Sequence, residues 1–124
     1  MLLVTSCTIT STAREVIDEL RDSGGSVGLL KIRLFRPFPA ELLRSMVADA
    51  KKLAVIDRNI GFGVGGIFAQ EIRAALHNHI QIPVFGFVAG LGGRDVRPSL
   101  IREVIEYAET HDAPEDLIWK GVKP

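Results

Sequence analysis

The chain has 124 residues, 47% of them apolar and 24% charged, which is enough to enclose one hydrophobic core but not two. Fifteen basic and fifteen acidic side chains balance, which excludes the overall positive field typical of proteins that bind nucleic acid or anionic membranes. The single cysteine, Cys7, excludes an internal disulfide and a zinc cluster built from paired cysteines, and it favours the reducing cytoplasm. The apolar opening over residues 1–4 lacks a basic leader, so we expect neither a signal peptide nor a membrane span.

The first half of the chain alternates strand and helix patterns. Residues 2–4 predict a short strand, and a helical stripe follows, made of Ala13, Val16, Ile17 and Leu20. Thr12 and Glu15 have capping-box spacing, which predicts a helix that begins at Thr12. A second strand is expected over residues 27–34, and a short helix after Pro39, which suits a first helical turn.

The second half continues the alternation. Residues 53–56 read as a fully buried strand, and residues 82–88 as a fourth strand. Between them lies a helical face made of Val64, Ile67, Phe68, Ile72, Ala75 and Leu76. A last helix is expected to begin near Pro98.

Four alternations of strand and helix predict an α/β fold with three layers: a mainly parallel, twisted sheet with helices on both faces. We assign residues 1–110 to this domain and residues 111–124 to a C-terminal tail. The tail is expected to be the least stable part. Residues 110–116 contain one apolar side chain, Ala113, and Pro114 interrupts any helix there.

Charged residues follow the predicted strands at the edge of the sheet where ligands and partners usually bind. Arg36, Arg58 and Arg94 fall there, beside Asp57 and Asp95. Guanidinium groups at such positions either bind an anion or form ion pairs within the domain or across an interface. We favour pairing, because ion pairs at loop edges are common.

A glycine motif between the third strand and the next helix has two interpretations. Gly61, Gly63 and Gly66 match the dinucleotide-binding fingerprint, in which backbone amides hold a phosphate. The motif follows the third strand instead of the first, however, and the next strand ends without the acidic residue that binds a ribose. We therefore favour a structural role, in which the glycines let a helix start tightly against the sheet.

Other reactive side chains lack a supporting pattern. His77, His79 and His111 do not have the spacing of a metal-ligand set, so no metal site is expected. Cys7 has no histidine placed near it by sequence, and we expect a buried, inert thiol. No catalytic residue is assigned.

Three segments together resemble a known family. They are Leu34-Phe35-Arg36-Pro37-Phe38-Pro39, Asp57-Arg58-Asn59-Ile60-Gly61-Phe62-Gly63 with Gly65-Gly66, and Gly90-Leu91-Gly92-Gly93-Arg94-Asp95. In this order and spacing they resemble the C-terminal domain (domain II) of the alpha subunit of pyruvate:ferredoxin oxidoreductase. The resemblance implies a fold like the C-terminal domain of transketolase.

Enzymes of that family decarboxylate a 2-oxoacid on thiamine diphosphate and magnesium, pass electrons through iron-sulfur clusters to ferredoxin, and transfer the acyl group to coenzyme A. This sequence lacks the family's Gly-Asp-Gly diphosphate segment, and one cysteine cannot hold a four-cysteine cluster. The resemblance therefore implies a non-catalytic assembly domain that binds no cofactor alone, is inactive in isolation, and has the enzyme's other domains and subunits as partners. Ferredoxin would be reached only through the complex.

The interface or anion-binding candidates at the sheet edge are Arg36, Asp57, Arg58, Asn59, Gly92, Gly93, Arg94 and Asp95. The alternative hypothesis is a free-standing nucleotide- or coenzyme-binding module that uses Gly61, Gly63 and Gly66 as a phosphate cradle.

Overall fold

The computed structural model describes residues 1–122, which form five strands, four α-helices and a short 3-10 helix at Leu91–Gly93. In chain order the larger elements are β1 (Leu2–Ser6), α1 (Ile9–Asp22), β2 (Gly28–Ile32), α2 (Ala40–Val47), β3 (Leu53–Asp57), α3 (Ile67–Leu76), β4 (Val84–Val88), α4 (Pro98–Thr110) and β5 (Ile118–Trp119). No helix in residues 1–122 has the length and apolar character needed to cross a membrane.

The five strands form one sheet in the order β2-β1-β3-β4-β5, and every neighbouring pair is parallel. Strand β2 lies on one side of β1, and β3, β4 and β5 follow in order on the other side. This order places a topological switch between β1 and β3, where the loops that follow the two strands diverge.

Alternate side chains along the strands enter two separate cores. Leu3, Ala54 and Ile56 face one side of the sheet and pack with α1 and α4. Val4 and Val55 face the other side and pack with α2 and α3. Strands β3 and β4 are buried along their whole length, as expected for strands covered on both faces. The predicted α/β class and its three layers are therefore confirmed.

Helix α1 begins three residues before the predicted cap. Thr8, not Thr12, occupies the N-cap position, and its side chain makes no capping hydrogen bond. Ser11 instead donates its hydroxyl to the Thr8 carbonyl over 2.8 Å. The prediction of Thr12 was wrong because Ile9 is buried one turn before Ala13, so burial of an extra apolar residue extends the helix backwards.

The tail contains a fifth strand that the sequence did not predict. Ile118 pairs with Phe87 of β4, and the Lys120 amide donates to the Val88 carbonyl over 3.0 Å. Ile118 is buried in the core beneath α1 and α4. A strand of two residues is too short to show a periodic pattern, which explains why it was missed. The domain boundary at residue 110 stays a prediction, and residues 123 and 124 lie outside the described part of the chain.

Tyr107 of α4 anchors the start of the tail. Its hydroxyl donates to Oε1 of Glu115 over 2.7 Å, and its ring stacks on His111 with centroids 3.9 Å apart. The same ring meets Phe87 edge to face at 5.7 Å. The hydrogen bond to Glu115 raises the pKa of Tyr107 above its ordinary value. The tail is thus attached to the domain on both sides of residue 116.

We predict that Ile118→Ala lowers the free energy of unfolding by about 2–4 kcal/mol, because it leaves a cavity in the core. Val122→Ala, at an exposed tail position, is the control and should change stability by less than about 0.5 kcal/mol. Urea unfolding of the 124-residue chain measures both. Equal effects of the two substitutions would show that the tail is not docked.

Candidate functional site

The loops that follow β1, β3 and β4 meet at the carboxyl edge of the sheet, and Arg58 links them. Its guanidinium donates to the Thr8 hydroxyl over 3.3 Å and to the Gly90 carbonyl over 3.4 Å. Gly90 has φ of +72°, and a Cβ atom there would lie 3.0 Å from Nε of Arg58 and 2.8 Å from Val96. A side chain at position 90 would therefore disturb this contact. Both of these partners are uncharged groups of the same domain, and the choice between pairing and anion binding at Arg58 stays a prediction.

Asp57, at the end of β3, is fully buried and caps α3 from within the fold. Its Oδ1 accepts the Phe68 amide over 3.0 Å, and its Oδ2 accepts the Ala69 amide over 3.0 Å. Asn59 donates its side-chain amide to Oδ1 of Asp57 over 3.1 Å, and its own Oδ1 accepts the Ile67 amide over 2.8 Å. The three amides of the first helical turn, which have no partner within a helix, are thus all occupied.

Gly66 allows the carboxylate to lie against the start of the helix. A Cβ atom at this position would lie 2.2 Å from Oδ2 of Asp57, which no side chain tolerates. The preceding residues close on themselves, since the Gly61 amide donates to the Gly65 carbonyl over 2.8 Å. Gly66 therefore allows a tight helix start, and the roles of Gly61 and Gly63 stay a prediction.

This geometry leaves no phosphate cradle at α3. A phosphate in the fingerprint position would need the amides of Ile67, Phe68 and Ala69, which Asp57 and Asn59 already hold. It would also approach a carboxylate, and two like charges at such a distance repel strongly. The arrangement fixes a helix and a loop instead of binding a ligand.

Burial raises the pKa of the Asp57 carboxyl above its ordinary value of 3.8. The amides of Ala69 and Phe68, the side chain of Asn59 and the nearby charge of Arg73 act in the opposite direction and offset part of that increase. Ionising Asp57 is therefore harder in the folded chain than in the unfolded chain.

The other charged candidates do not converge on a common point. Arg36 pairs with Glu71 of α3 at 2.6 Å. Arg94 donates to the Gly121 carbonyl of the tail over 3.1 Å. Asp95 pairs with Arg97 at 3.4 Å, and both side chains are exposed. Because each charge has its own partner, these residues do not form one anion site. Their role at an interface, with that of Gly92 and Gly93, stays a prediction.

Cys7 differs from its expected burial. It is exposed, with φ of +52°, in the turn between β1 and α1. The left-handed backbone of that turn brings the side chain to the surface instead of into either core. Among residues 1–122, no three His, Cys, Asp or Glu side chains come together as metal ligands.

Exposed apolar side chains in the loop before α3 were missed by sequence reasoning. Val64 was predicted on the buried face of the helix, but α3 begins only at Ile67 and Val64 lies exposed in the loop. Phe62 is fully exposed. The signal present in the sequence was the lack of any charged residue over positions 59–67.

The sheet order and the helix layers define a doubly wound parallel α/β domain whose carboxyl-edge loops are fixed by internal contacts. The chain belongs to the pyruvate:ferredoxin oxidoreductase core domain II family, whose model matches residues 1–101. This confirms the resemblance carried by the three segments.

Curated relatives of the chain have names that agree with this family assignment. The chain is 48% identical over 123 residues to pyruvate synthase subunit PorA of Methanothermobacter thermautotrophicus, covering 99% of this chain and 31% of that protein. It is 37% identical over 123 residues to PorA of Methanocaldococcus jannaschii, with 98% and 31% covered. Over 117 residues it is 37% identical to ketoisovalerate oxidoreductase subunit VorA of Pyrococcus furiosus, with 90% and 30% covered. The chain thus spans about a third of the length of these curated relatives.

We predict that Asp57→Asn destabilises the fold by about 1–3 kcal/mol, the cost of leaving a buried donor unsatisfied. Both carboxylate oxygens accept backbone amides, so in either orientation the new NH2 group faces an N–H. Asp95→Asn, at an exposed carboxylate, is the control and should have an effect below about 0.5 kcal/mol. Chemical denaturation compares the free energies of unfolding of the two variants. If Asp57→Asn does not change that free energy, the capping role is refuted.

The raised pKa predicts a pH dependence. The folded chain binds the Asp57 proton more tightly than the unfolded chain, so protonation favours folding. The stability of the wild type relative to Asp57→Asn should therefore increase as pH falls through the raised pKa towards 3.8, and level off below it. Both proteins are unfolded at a series of pH values, and the difference between their free energies of unfolding is taken, which cancels the contributions of the carboxyl groups that they share. If this difference in favour of the wild type decreases on acidification, the pKa of Asp57 is lowered and not raised.

Proposed function

We propose that this chain is a structural contact domain of the alpha subunit of a 2-oxoacid:ferredoxin oxidoreductase. The family match over residues 1–101 is the observation that carries the proposal. The parent enzyme would oxidatively decarboxylate pyruvate to acetyl-CoA and reduce ferredoxin in the cytoplasm. The 48% identity to a pyruvate synthase subunit favours pyruvate over the branched substrate suggested by the name ketoisovalerate oxidoreductase.

The chemistry of the reaction would come from the rest of the enzyme. Thiamine diphosphate and magnesium need a free diphosphate-binding turn, and the helix start most similar to one is filled by Asp57 and Asn59. An iron-sulfur cluster needs several thiolates, and the chain has only Cys7. The residues of this domain that the structure describes therefore do not fit those groups. Coenzyme A and ferredoxin would bind the assembled enzyme.

The contribution of the domain would be to position its neighbours. Arg36, Arg58, Asn59, Gly92, Gly93, Arg94 and Asp95 all lie in loops at the carboxyl edge of the sheet or next to it. Internal hydrogen bonds hold several of these loops in place, so the edge can meet another domain with little loss of entropy. Asp57 would act from inside the fold by fixing α3 and its loop.

No observation favours the alternative of a free-standing nucleotide- or coenzyme-binding module. That alternative required Gly61, Gly63 and Gly66 to present free amides to a phosphate, and the amides of the adjoining helix already have partners.

The proposal predicts different results for the assembled enzyme and for the isolated chain. The full alpha subunit, combined with its partner subunits, thiamine diphosphate, magnesium and coenzyme A, should reduce ferredoxin with pyruvate as substrate. The isolated chain should show no turnover, and its melting temperature should not rise with NAD, ATP or coenzyme A, because a specific ligand stabilises the state that it binds. Turnover by the isolated chain, or a low-micromolar dissociation constant for one of these ligands, would overturn the proposal. An assembled enzyme that is inactive with every 2-oxoacid would also overturn it.

A further inference from the structure

The loop before α3 and the first residue of that helix expose four large apolar side chains. We call residues 60–67, which comprise this loop and Ile67, the Phe62 loop. Phe62 at its tip is fully exposed, and Ile60, Val64 and Ile67 are each more than a third exposed. A single exposed apolar residue is ordinary, but four within eight positions concentrate exposed apolar side chains in one short segment, which favours a contact site.

The composition of the loop favours a protein surface as its partner. Residues 59–67 contain no charged side chain, although 24% of the whole chain is charged. Charged residues are depleted at the centre of protein interfaces, and aromatic residues are enriched there. A nucleic acid or an anionic membrane would instead require basic side chains in the loop. The composition of the loop therefore favours an apolar protein surface as its partner.

Internal contacts restrain the base of the Phe62 loop within this chain. The Gly61 amide donates to the Gly65 carbonyl over 2.8 Å, and the side-chain amide of Gln70 donates to the Val64 carbonyl. Leu117 of the tail packs against Gly65, since a Cβ atom there would lie 3.2 Å from its Cδ1. Asp57 fixes the helix that follows. A rigid loop loses little entropy on binding, so Phe62 is suited to act as an anchor.

We propose that the Phe62 loop inserts into an apolar pocket on another domain of the same alpha subunit. This inference rests on the proposed function, and it specifies which residues make the contact and which kind of partner they meet. Relatives carry this domain as about a third of a longer chain, so their other domains are tethered to it. A tethered neighbour acts at an effective concentration on the order of millimolar, which outcompetes a second copy of the chain in dilute solution.

Thiol labelling tests the insertion. Val64→Cys, which leaves the Phe62 side chain in place, and, as a control, Met46→Cys are made in a Cys7→Ser background, both in the isolated chain and in the full-length alpha subunit. Val64 is exposed in the loop, and Met46 is half-exposed on α2, outside the loop. Maleimide reacts with each substituted position, and peptide mass spectrometry follows its rate separately from the other cysteines of the subunit. Position 64 should react about tenfold or more slowly in the full-length subunit, which corresponds to about 1.4 kcal/mol of protection. Position 46 should react at the same rate in both proteins.

Other outcomes overturn the insertion. Equal rates at position 64 in the two proteins, or equal slowing at positions 64 and 46, would show that the loop is not specifically covered. Protection of position 64 in the isolated chain, growing with its concentration, would identify a second copy as the occupant and overturn the proposal of a tethered domain.

A second test removes the proposed anchor and measures stability. Phe62→Ser should leave the melting temperature of the isolated chain unchanged, because the side chain packs on nothing within it, and should lower the resistance of the full-length subunit to denaturation. A matched change at another exposed apolar residue, Leu42→Ser, should affect neither. If Phe62→Ser and Leu42→Ser behave alike in the full-length subunit, the anchor role is wrong. Activity is measured separately. An enzyme that oxidises 2-oxoacids while position 64 is fully reactive refutes only the insertion. An inactive enzyme in which position 64 is protected refutes only the proposed function.

Discussion

A buried carboxylate at the end of β3 holds the start of α3 against the sheet. Asp57 and Asn59 together bind the amides of Ile67, Phe68 and Ala69, and Gly66 provides the space in which the carboxylate lies. The helix macrodipole favours a negative group at this position, whereas burial opposes ionisation, and the hydrogen bonds offset only part of that desolvation. These bonds occupy the amide donors that a phosphate would use. The helix start is therefore not a phosphate site, and the adjoining loop remains exposed for contact with protein.

The rest of the carboxyl edge is joined to this centre by side chains and by the tail. Arg58 connects the loops that follow β1 and β4, and Leu117 packs against the loop before α3. Arg94 holds the tail at Gly121. Three loops and the tail therefore form one connected surface. A substitution in any of them is expected to reach the others through these contacts, which suits a domain that sets the arrangement of its neighbours.

Periodicity and breakers predicted the four main strands, the four helices and the three layers, because burial on both faces leaves a strong pattern in segments such as Leu53–Asp57. The sequence also placed Gly66 just before a helix, but it did not predict the carboxylate that lies against it. The role of Asp57 was not predictable by local capping rules, since its bond to Ala69 spans twelve positions and depends on the fold. Strand β5 was not predicted because two residues are too few to show a periodic pattern. The exposure of Cys7 was not predicted because it depends on the geometry of a single turn.

Amide exchange of the first turn of α3, followed by NMR, tests the central claim most directly. If Asp57 and Asn59 hold the amides of Ile67, Phe68 and Ala69, these should exchange as slowly as amides in the middle of α3. Their chemical shifts should also stay unchanged when inorganic phosphate or ADP is added. Fast exchange of these amides, or a saturable shift on adding phosphate, would show that the helix start is open and would contradict the account.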